Sequence, residues 1–244
     1  MDIKIFSILA GVITFVAYVQ GDAGSFFVTP CKAEDSKCLK ENVSKGFQAF
    51  AKGIPELGVK PLDPIYMKRI DASRQGLKLI ATDVYVAGMK NCIAKKASRD
   101  VEKGKLFVKF QCDGTLEGQY EMDGQILILP IRGKGPVHVV LRKLVINFEC
   151  DLSEKVGKDG KKHWDMKKWT HSFELKDKVD LVFENLFDGN EVLGNAAREL
   201  ISSNGKEVVY EIGPPIIKAM MDEFISSTRI FLDNVPIENL ALDV

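Results

Sequence analysis

Apolar residues recur at every second position over a long central part of the sequence, from Pro61 to about Phe183. Successive side chains of a β-strand point to opposite faces of the sheet, so this alternation predicts strands with one buried face. The segments that carry the pattern most clearly are 77–81, 106–112, 137–150 and 169–183. The alternation changes phase around Arg142 and Lys143, which predicts a β-bulge that bends the strand. We therefore expect an antiparallel meander of long, strongly curved strands.

Three glycine-containing sequences in this region are typical of turns. Asp123-Gly124 and Asp159-Gly160 favour tight hairpin turns, because glycine readily adopts the positive φ angles that such turns require. The sequence Gly-Lys-Gly-Pro at 133–136 predicts a further turn.

Helical spacing replaces the alternation toward both ends of the chain. Apolar residues between Leu39 and Phe50 are spaced as on one face of a helix and predict an amphipathic helix that ends near Gly53. Toward the C-terminus we expect a helix over 190–203 and a longer helix over 206–234. The longer helix should be kinked or broken at Gly213-Pro214-Pro215, because proline removes a helical hydrogen bond.

The longer C-terminal helix is apolar around much of its circumference. Its second part carries Ile216, Ile217, Met220, Met221, Phe224, Ile225, Phe231 and Leu232. A surface helix usually presents an apolar stripe of about 100°, and these residues cover a wider arc. The helix must therefore be buried on more than one side. The simplest arrangement is a curved sheet wrapped around it, which predicts an α+β fold.

The N-terminus has the order of a secretory signal peptide. Lys4 precedes an apolar run from Ile5 to Val19, and small residues follow it. A membrane anchor is the competing interpretation, but a spanning helix needs about 20 apolar residues and this run is shorter. We expect a signal peptide over 1–21, followed by one secreted, soluble, monomeric domain over 22–244.

Five cysteines in a secreted chain predict disulfides with at least one thiol left over. Cys31 and Cys38 flank a short polar stretch, and a bridge between them would hold the new N-terminus against the first helix. Two of the remaining three could also pair. We favour buried thiols at Cys112 and Cys150, because both continue apolar alternations. Asn42 begins an Asn-Val-Ser sequence and is a candidate glycosylation site.

Several function classes lack their usual signals. The 34 basic and 34 acidic residues are interspersed, without the basic cluster that a nucleic-acid interface needs. No nucleophile elbow, C-x-x-C or H-E-x-x-H sequence is present, and the three histidines are scattered. We therefore predict no catalytic site, no metal site, no cofactor, no nucleic-acid partner and no stable insertion into a membrane.

Large apolar side chains are abundant in this chain, whereas catalytic motifs are few. The run 126–131 is almost wholly apolar, so both faces of that strand need cover. A sheet rolled around a helix can leave an apolar tunnel, which is the usual lining of a ligand site. The residues that we predict to line it are Phe110, Ile126, Ile128, Val137, Val139, Leu141, Phe148, Trp169, Phe173, Phe183, Met220 and Phe224.

A set of short motifs runs in one order along nearly the whole mature chain. They are Pro30-Cys31 with Cys38, GIPELG at 53–58, PLDP at 61–64, LEGQY at 116–120, DG at 123–124, ILPIRGKG at 128–135 and LFDGNEVLG at 186–194. Through these motifs and their order, the chain resembles the takeout and juvenile hormone-binding protein family of insects, and it is closer to the takeout branch.

The resemblance implies a super-roll, in which a strongly curved antiparallel sheet wraps a long helix and encloses an apolar tunnel. It also implies a disulfide between Cys31 and Cys38 and the carriage of juvenile hormone or other hydrophobic ligands. The haemolymph hormone carriers have a second disulfide to a C-terminal helix, and here no cysteine follows Cys150. The residues that hold the hormone head group do not map onto this chain, so the resemblance favours a long-chain lipid or terpenoid.

The leading hypothesis is a secreted carrier, found in haemolymph or another extracellular fluid, that binds a hydrophobic small molecule. The alternative is an interaction protein that presents a lipid to a receptor or at a membrane surface. An exposed basic and aromatic hairpin tip between Lys161 and Lys168 would favour that alternative. An enzyme with an unrecognised site is the third interpretation.

Overall fold

The computed structural model describes residues 27–243. The strands are β1 (Ile65–Asp71), β2 (Leu77–Ala87), β3 (Ile93–Asp100), β4 (Lys105–Ile126), β5 (Leu129–Val156), β6 (Lys162–Leu175) and β7 (Val179–Phe183). The helices are α1 (Ser36–Lys52), α2 (Glu191–Ser203), α3 (Gly205–Ile212) and α4 (Pro214–Asn234), with short 3₁₀ turns at 55–57, 89–91, 187–189 and 237–239. The predicted signal peptide lies outside the described residues.

The strands form one antiparallel sheet built on two long central strands. Strand β4 has 22 residues and β5 has 28, and they pair along almost their whole length. Strands β2 and β3 pair one after the other with the same edge of β4. Strands β7 and β6 likewise share the outer edge of β5, while β1 pairs with β2. The sheet therefore has two halves, one with β1, β2 and β7 and one with β3 and β6, joined by the continuous strands β4 and β5.

A β-bulge bends the central strands where the two halves meet. Cys112 pairs with Leu144 and Gly114 with Leu141, so Asp113 alone faces the two residues Arg142 and Lys143. The backbone N–H of Lys143, whose φ is +49°, donates a hydrogen bond of 2.6 Å to Oδ1 of Asp113. The bulge predicted at Arg142 and Lys143 is confirmed.

Two of the three turn predictions were wrong. Asp159-Gly160 does form a turn, with φ of +77° at Gly160. Asp123-Gly124 instead lies within β4, and the chain reverses at Leu127. A Cβ atom at position 124 would lie 2.3 Å from the carbonyl oxygen of Gly76, so this glycine permits close strand packing rather than a turn.

The predicted turn at 133–136 also lies within a strand, β5, and its first glycine likewise permits close packing. Gly133 pairs with Met122 and Gly135 with Tyr120 in the ladder between β4 and β5. A Cβ atom on Gly133 would lie 2.6 Å from the hydroxyl oxygen of Tyr120. The glycine makes room for a buried tyrosine side chain, and the local sequence does not reveal that neighbour.

The helix predictions are confirmed. Helix α1 begins after Asp35, whose Oδ1 accepts a 2.9 Å hydrogen bond from the Cys38 N–H, and it ends at Gly53, where φ is +80°. Helix α2 covers the predicted segment, and the chain breaks at Gly213 between α3 and α4. Pro214 occupies the first turn of α4, where its missing N–H costs no helical hydrogen bond.

Helix α4 lies on the concave side of the sheet, as its wide apolar arc predicts. Ile217, Met221 and Ile225 are buried in the core cluster shared with side chains from the sheet strands and α1. The ring centroid of Phe224 lies 5.6 Å from that of Phe47 and 5.7 Å from that of Phe50, so aromatic contacts join α4 to α1. The fold is α+β, with a long helix wrapped by a curved sheet that does not close into a barrel.

Two disulfides are present. The predicted bridge between Cys31 and Cys38 is confirmed, with 5.9 Å between the Cα atoms. The prediction of a free thiol at Cys112 was wrong, because Cys112 is bonded to Cys92. Ile93 pairs with Gln111 at the start of β3, so positions 92 and 112 are the next antiparallel neighbours. Cys150 is a buried free thiol, as predicted, and burial raises its pKa to about 12.

Candidate functional site

A cavity of about 140 Å³ lies between the concave face of the sheet and helices α3 and α4. A buried water needs roughly 10–15 Å³ on this scale, so the cavity has space on the order of ten waters. Its walls also include residues of β1, β2, β4, β5, β7 and α1. Large lining side chains include Phe47, Ile65, Leu79, Phe110, Tyr120, Phe183, Ile212, Ile216, Met220 and Phe224.

The cavity wall is almost wholly apolar. Tyr120 supplies an inward hydroxyl, and that hydroxyl already donates a 2.6 Å hydrogen bond to the carbonyl oxygen of Glu184. Burial raises the pKa of Tyr120 to about 12, so the phenol stays neutral. A wall of this kind suits a dry apolar ligand and offers no group for acid–base chemistry.

Two further polar residues, Asp113 and Thr115, reach the cavity where β4 bends. Leu116 and Tyr120, two residues on the same face of β4, point inward, so the strand alternation turns the side chain of Thr115 outward. The Asp113 side chain is exposed and is hydrogen-bonded to the β5 bulge. These two residues therefore contribute mainly backbone to the wall.

The same place is a gap in the sheet. Strand β2 ends at Ala87, opposite Thr115, and β3 begins at Ile93, opposite Gln111. The edge of β4 at 112–114, which we call the sheet gap, is therefore covered by the 89–91 turn instead of a strand.

Two kinds of bond hold this turn over the sheet gap. The disulfide between Cys92 and Cys112 joins the turn to β4. The Asp63 carboxylate accepts the N–H groups of Gly88 and Lys90 at 3.0 and 3.1 Å. The turn and the edge of β4 that it covers both contribute residues to the cavity wall.

Seven of the residues predicted from the sequence line this cavity. They are Phe110, Val137, Val139, Leu141, Phe183, Met220 and Phe224. They come from β4, β5, β7 and α4, which the fold brings together around one space. Their role in binding stays a prediction.

The other five predicted residues lie elsewhere. Ile128 is 83% exposed in the turn between β4 and β5, and Ile126 is buried in the core beside that turn, outside the cavity. Phe148 and Trp169 pack against each other at 6.1 Å, and Phe173 stacks on Tyr210 at 5.4 Å. None of the five is among the residues that line the cavity.

Sequence reasoning missed several lining residues. Ile65, Leu79 and Ala81 come from β1 and β2, and Val209 and Ile212 come from α3. Leu79 and Ala81 belong to the segment whose alternation predicted a strand. Their position on the buried face of that strand could therefore have been inferred from the sequence. The two α3 residues were not recognised as lining residues, because the sequence predicted α3 and α4 as one helix.

Two of the three histidines lie in buried or partly buried surroundings. The two ring nitrogens of His163 lie 2.9 Å from the Leu232 carbonyl and 3.1 Å from the Asp159 carboxylate, which links a hairpin to α4. Burial lowers the pKa of His171. Within residues 27–243 there is no cluster of three His, Cys, Asp or Glu side chains that could hold a metal ion.

The candidate glycosylation site is hydrogen-bonded. Oδ1 of Asn42 accepts the N–H of Thr29 at 3.1 Å, and Nδ2 donates to the Thr29 carbonyl at 2.6 Å and to Cys31 Sγ at 3.1 Å. The side-chain amide fastens the N-terminal segment to α1. Glycosylation at Asn42 stays a prediction.

A curved antiparallel sheet around a long helix, with an almost wholly apolar cavity between them, defines the class of this α+β protein. The model of the haemolymph juvenile hormone binding protein family matches residues 9–242, and the chain belongs to this family. The family resemblance stated from the sequence motifs is confirmed. In the part of the chain that is described, no helix has the length and apolar character needed to cross a membrane.

Individual relatives cover the chain to different extents. The chain is 25% identical over 242 residues to the circadian clock-controlled protein daywake of Drosophila yakuba, covering 93% of this chain and 92% of that protein. It is 26% identical over 98 residues to the juvenile hormone-binding protein of Manduca sexta, covering 39% and 42%. The crystal structure of Epiphyas postvittana Takeout 1 superposes with a TM-score of 0.84 at 29% identity, covering 88% of this chain and 100% of that one.

Proposed function

We propose that the protein is a secreted carrier that holds one hydrophobic small molecule, a terpenoid or a long-chain lipid, in its internal cavity. The observation that carries the proposal is the apolar wall of that cavity, whose inward hydroxyl is already hydrogen-bonded within the protein. Burying an apolar ligand there supplies roughly 25 cal/mol for each Å² removed from water, so binding needs no polar anchor. The name of the Manduca sexta relative supports a ligand of the terpenoid class.

Two features support secretion. The predicted signal peptide over 1–21 directs export. The disulfides Cys31–Cys38 and Cys92–Cys112 are of the kind that persists in oxidising compartments. We propose that the carrier acts as a monomer in an extracellular fluid.

A pair of substitutions on adjacent strands tests the carrier proposal. Val139 lines the cavity, whereas Val182 is 43% exposed on the outer face of β7. An aspartate at position 139 places an unpaired charge in an apolar space and should abolish binding of a long apolar fluorescent probe. Val182→Asp should leave saturable, one-to-one binding intact. Circular dichroism establishes that both variants are folded.

Two results would contradict the carrier proposal. The first is a folded wild-type protein that binds no apolar probe above background. The second is equal loss of binding in both variants, which would mean that the probe is held outside the cavity.

The hairpin tip does not favour the alternative of a lipid-presenting interaction protein. Lys161 pairs with Glu238 at 2.6 Å and Lys162 with Glu154 at 2.7 Å. The Trp164 ring is covered by the Arg99 guanidinium at 5.2 Å. The two lysines at the start of this segment therefore have acidic partners, and the Trp164 ring packs against a cationic side chain instead of standing free.

A further inference from the structure

The cavity extends along the two central strands. Strand β4 contributes wall residues from Phe110 to Tyr120, and β5 contributes them from Val137 to Ile146. Phe110 pairs directly with Ile146 in the ladder between these strands, so the two residues mark the same end of the cavity. Both strands continue past this end into the half of the sheet that holds β3 and β6.

Three aromatic rings meet at this end of the cavity. Phe47 comes from α1, Phe110 from β4 and Phe224 from α4, and all three line the cavity. The ring centroid of Phe47 lies 4.9 Å from that of Phe110 and 5.6 Å from that of Phe224. Rings at such separations are in contact. They therefore form a continuous layer from the sheet to the two helices, which we call the aromatic wall.

The space behind the aromatic wall is filled with side chains. Val108 and Phe148 pair with each other two residues beyond Phe110, so they lie on the same face of the sheet. Both are buried in the core, as is Met166 of β6, and none of the three lines the cavity. The cavity therefore ends at the aromatic wall, although the apolar core continues behind it.

Resting on the carrier function proposed above, we propose that the aromatic wall sets the longest hydrophobic chain that the cavity accepts, with Phe110 as the specificity-determining residue. A chain that grows toward the wall gains apolar contact with each added CH₂ until it meets the rings. Further growth requires displacement of a ring. Phe110 is fixed in place, because its backbone pairs with β3 on one side and with β5 on the other. The site thus selects among related ligands by chain length.

A homologous series of straight-chain primary alcohols measures this limit by displacement of a bound apolar probe. Each CH₂ that enters the cavity should strengthen binding about fourfold, which corresponds to about 0.8 kcal/mol. In the wild-type protein this gain should stop at one chain length, where the alcohol meets the aromatic wall.

Phe110→Ala should move that limit to longer chains. The substitution removes the ring carbons, and part of the space is lost because the neighbours relax, so the limit should rise by roughly four carbons. An alcohol of that greater length should bind Phe110→Ala at least about tenfold more tightly than the wild-type protein. Each alcohol is compared between two proteins, so its own solubility cancels from the ratio.

Phe148→Ala is the matched control. Phe148 and Phe110 are both 5% exposed, but Phe148 lies behind the aromatic wall. Its loss leaves a void that the wall still separates from the cavity, so the chain-length limit should stay that of the wild type. Circular dichroism establishes that each variant is folded. Phe110→Leu should give a smaller shift in the same direction and replaces Phe110→Ala if the alanine variant does not fold.

The outcomes separate the two proposals. A folded Phe110 variant with the wild-type limit would overturn the role of the aromatic wall and leave the carrier function standing. An equal shift in Phe148→Ala, or a wild-type affinity that rises up to the longest soluble alcohol, would overturn it as well. Failure of every alcohol and of the probe itself to bind the wild-type protein would overturn the carrier function.

Discussion

Replacing Phe224 by alanine tests the helix that the sheet encloses. The ring lines the cavity on one side and contacts the rings of Phe47 and Phe50 on the other, at centroid distances of 5.6 and 5.7 Å. Its loss removes buried apolar surface and two aromatic contacts, each worth about 0.5–1.5 kcal/mol. Fully buried Phe→Ala substitutions cost about 3–5 kcal/mol, and the lower end applies to Phe224 because its ring is partly buried and faces the cavity. We expect a loss of about 3 kcal/mol.

The assay is urea unfolding of the oxidised protein, followed by tryptophan fluorescence. Ile230→Ala is the matched control, because this residue lies on the same helix and is 37% exposed. Its free energy of unfolding should stay within about 0.5 kcal/mol of the wild type. A Phe224→Ala effect as small as that of the control would refute the enclosed position of α4.

Two further predictions concern covalent and packing details. Cys150 is buried with a raised pKa, so a thiol reagent should label no cysteine in the native protein and one per chain in denaturant. Three labelled thiols in denaturant would mean that one of the two disulfides is not formed. Gly133→Ala should lower the free energy of unfolding by about 1–3 kcal/mol, because the new methyl group meets the Tyr120 hydroxyl. An unchanged stability there would show that the tyrosine can move aside without loss.

The sequence predicted the fold well where periodicity extends over many residues. Alternation identified the long central strands, and its phase change located the bulge at Arg142 and Lys143, because both signals arise from the backbone itself. Glycine dipeptides were less reliable. Gly124 and Gly133 lie within strands because other segments of the same chain pack closely against them. Those segments are close in space but separate in sequence, so the local sequence does not reveal them. Cys112 was assigned wrongly for the same reason, since its partner is set by the register of β3.

The candidate site was predictable in part. Val137, Val139 and Leu141 share a face of β5, and the alternation places them together on the concave side. Phe148 continues along the same strand past the bulge but packs in the core beyond the cavity. Periodicity determines which face a residue occupies, yet it does not show how far along a strand a cavity extends. That limit is set by the large side chains that fill the remaining space.

The two continuous strands have a consequence for the cooperativity of unfolding. Strands β4 and β5 supply the pairing edges for both halves of the sheet, and the stretches of β4 and β5 that pair with each half contribute residues to the cavity wall. Melting either half would leave the other with unpaired strand ends and an opened core. We therefore expect a single all-or-none transition despite the elongated sheet. A ligand in the cavity would raise the stability of both halves together, so its binding is measurable as one shift in melting temperature.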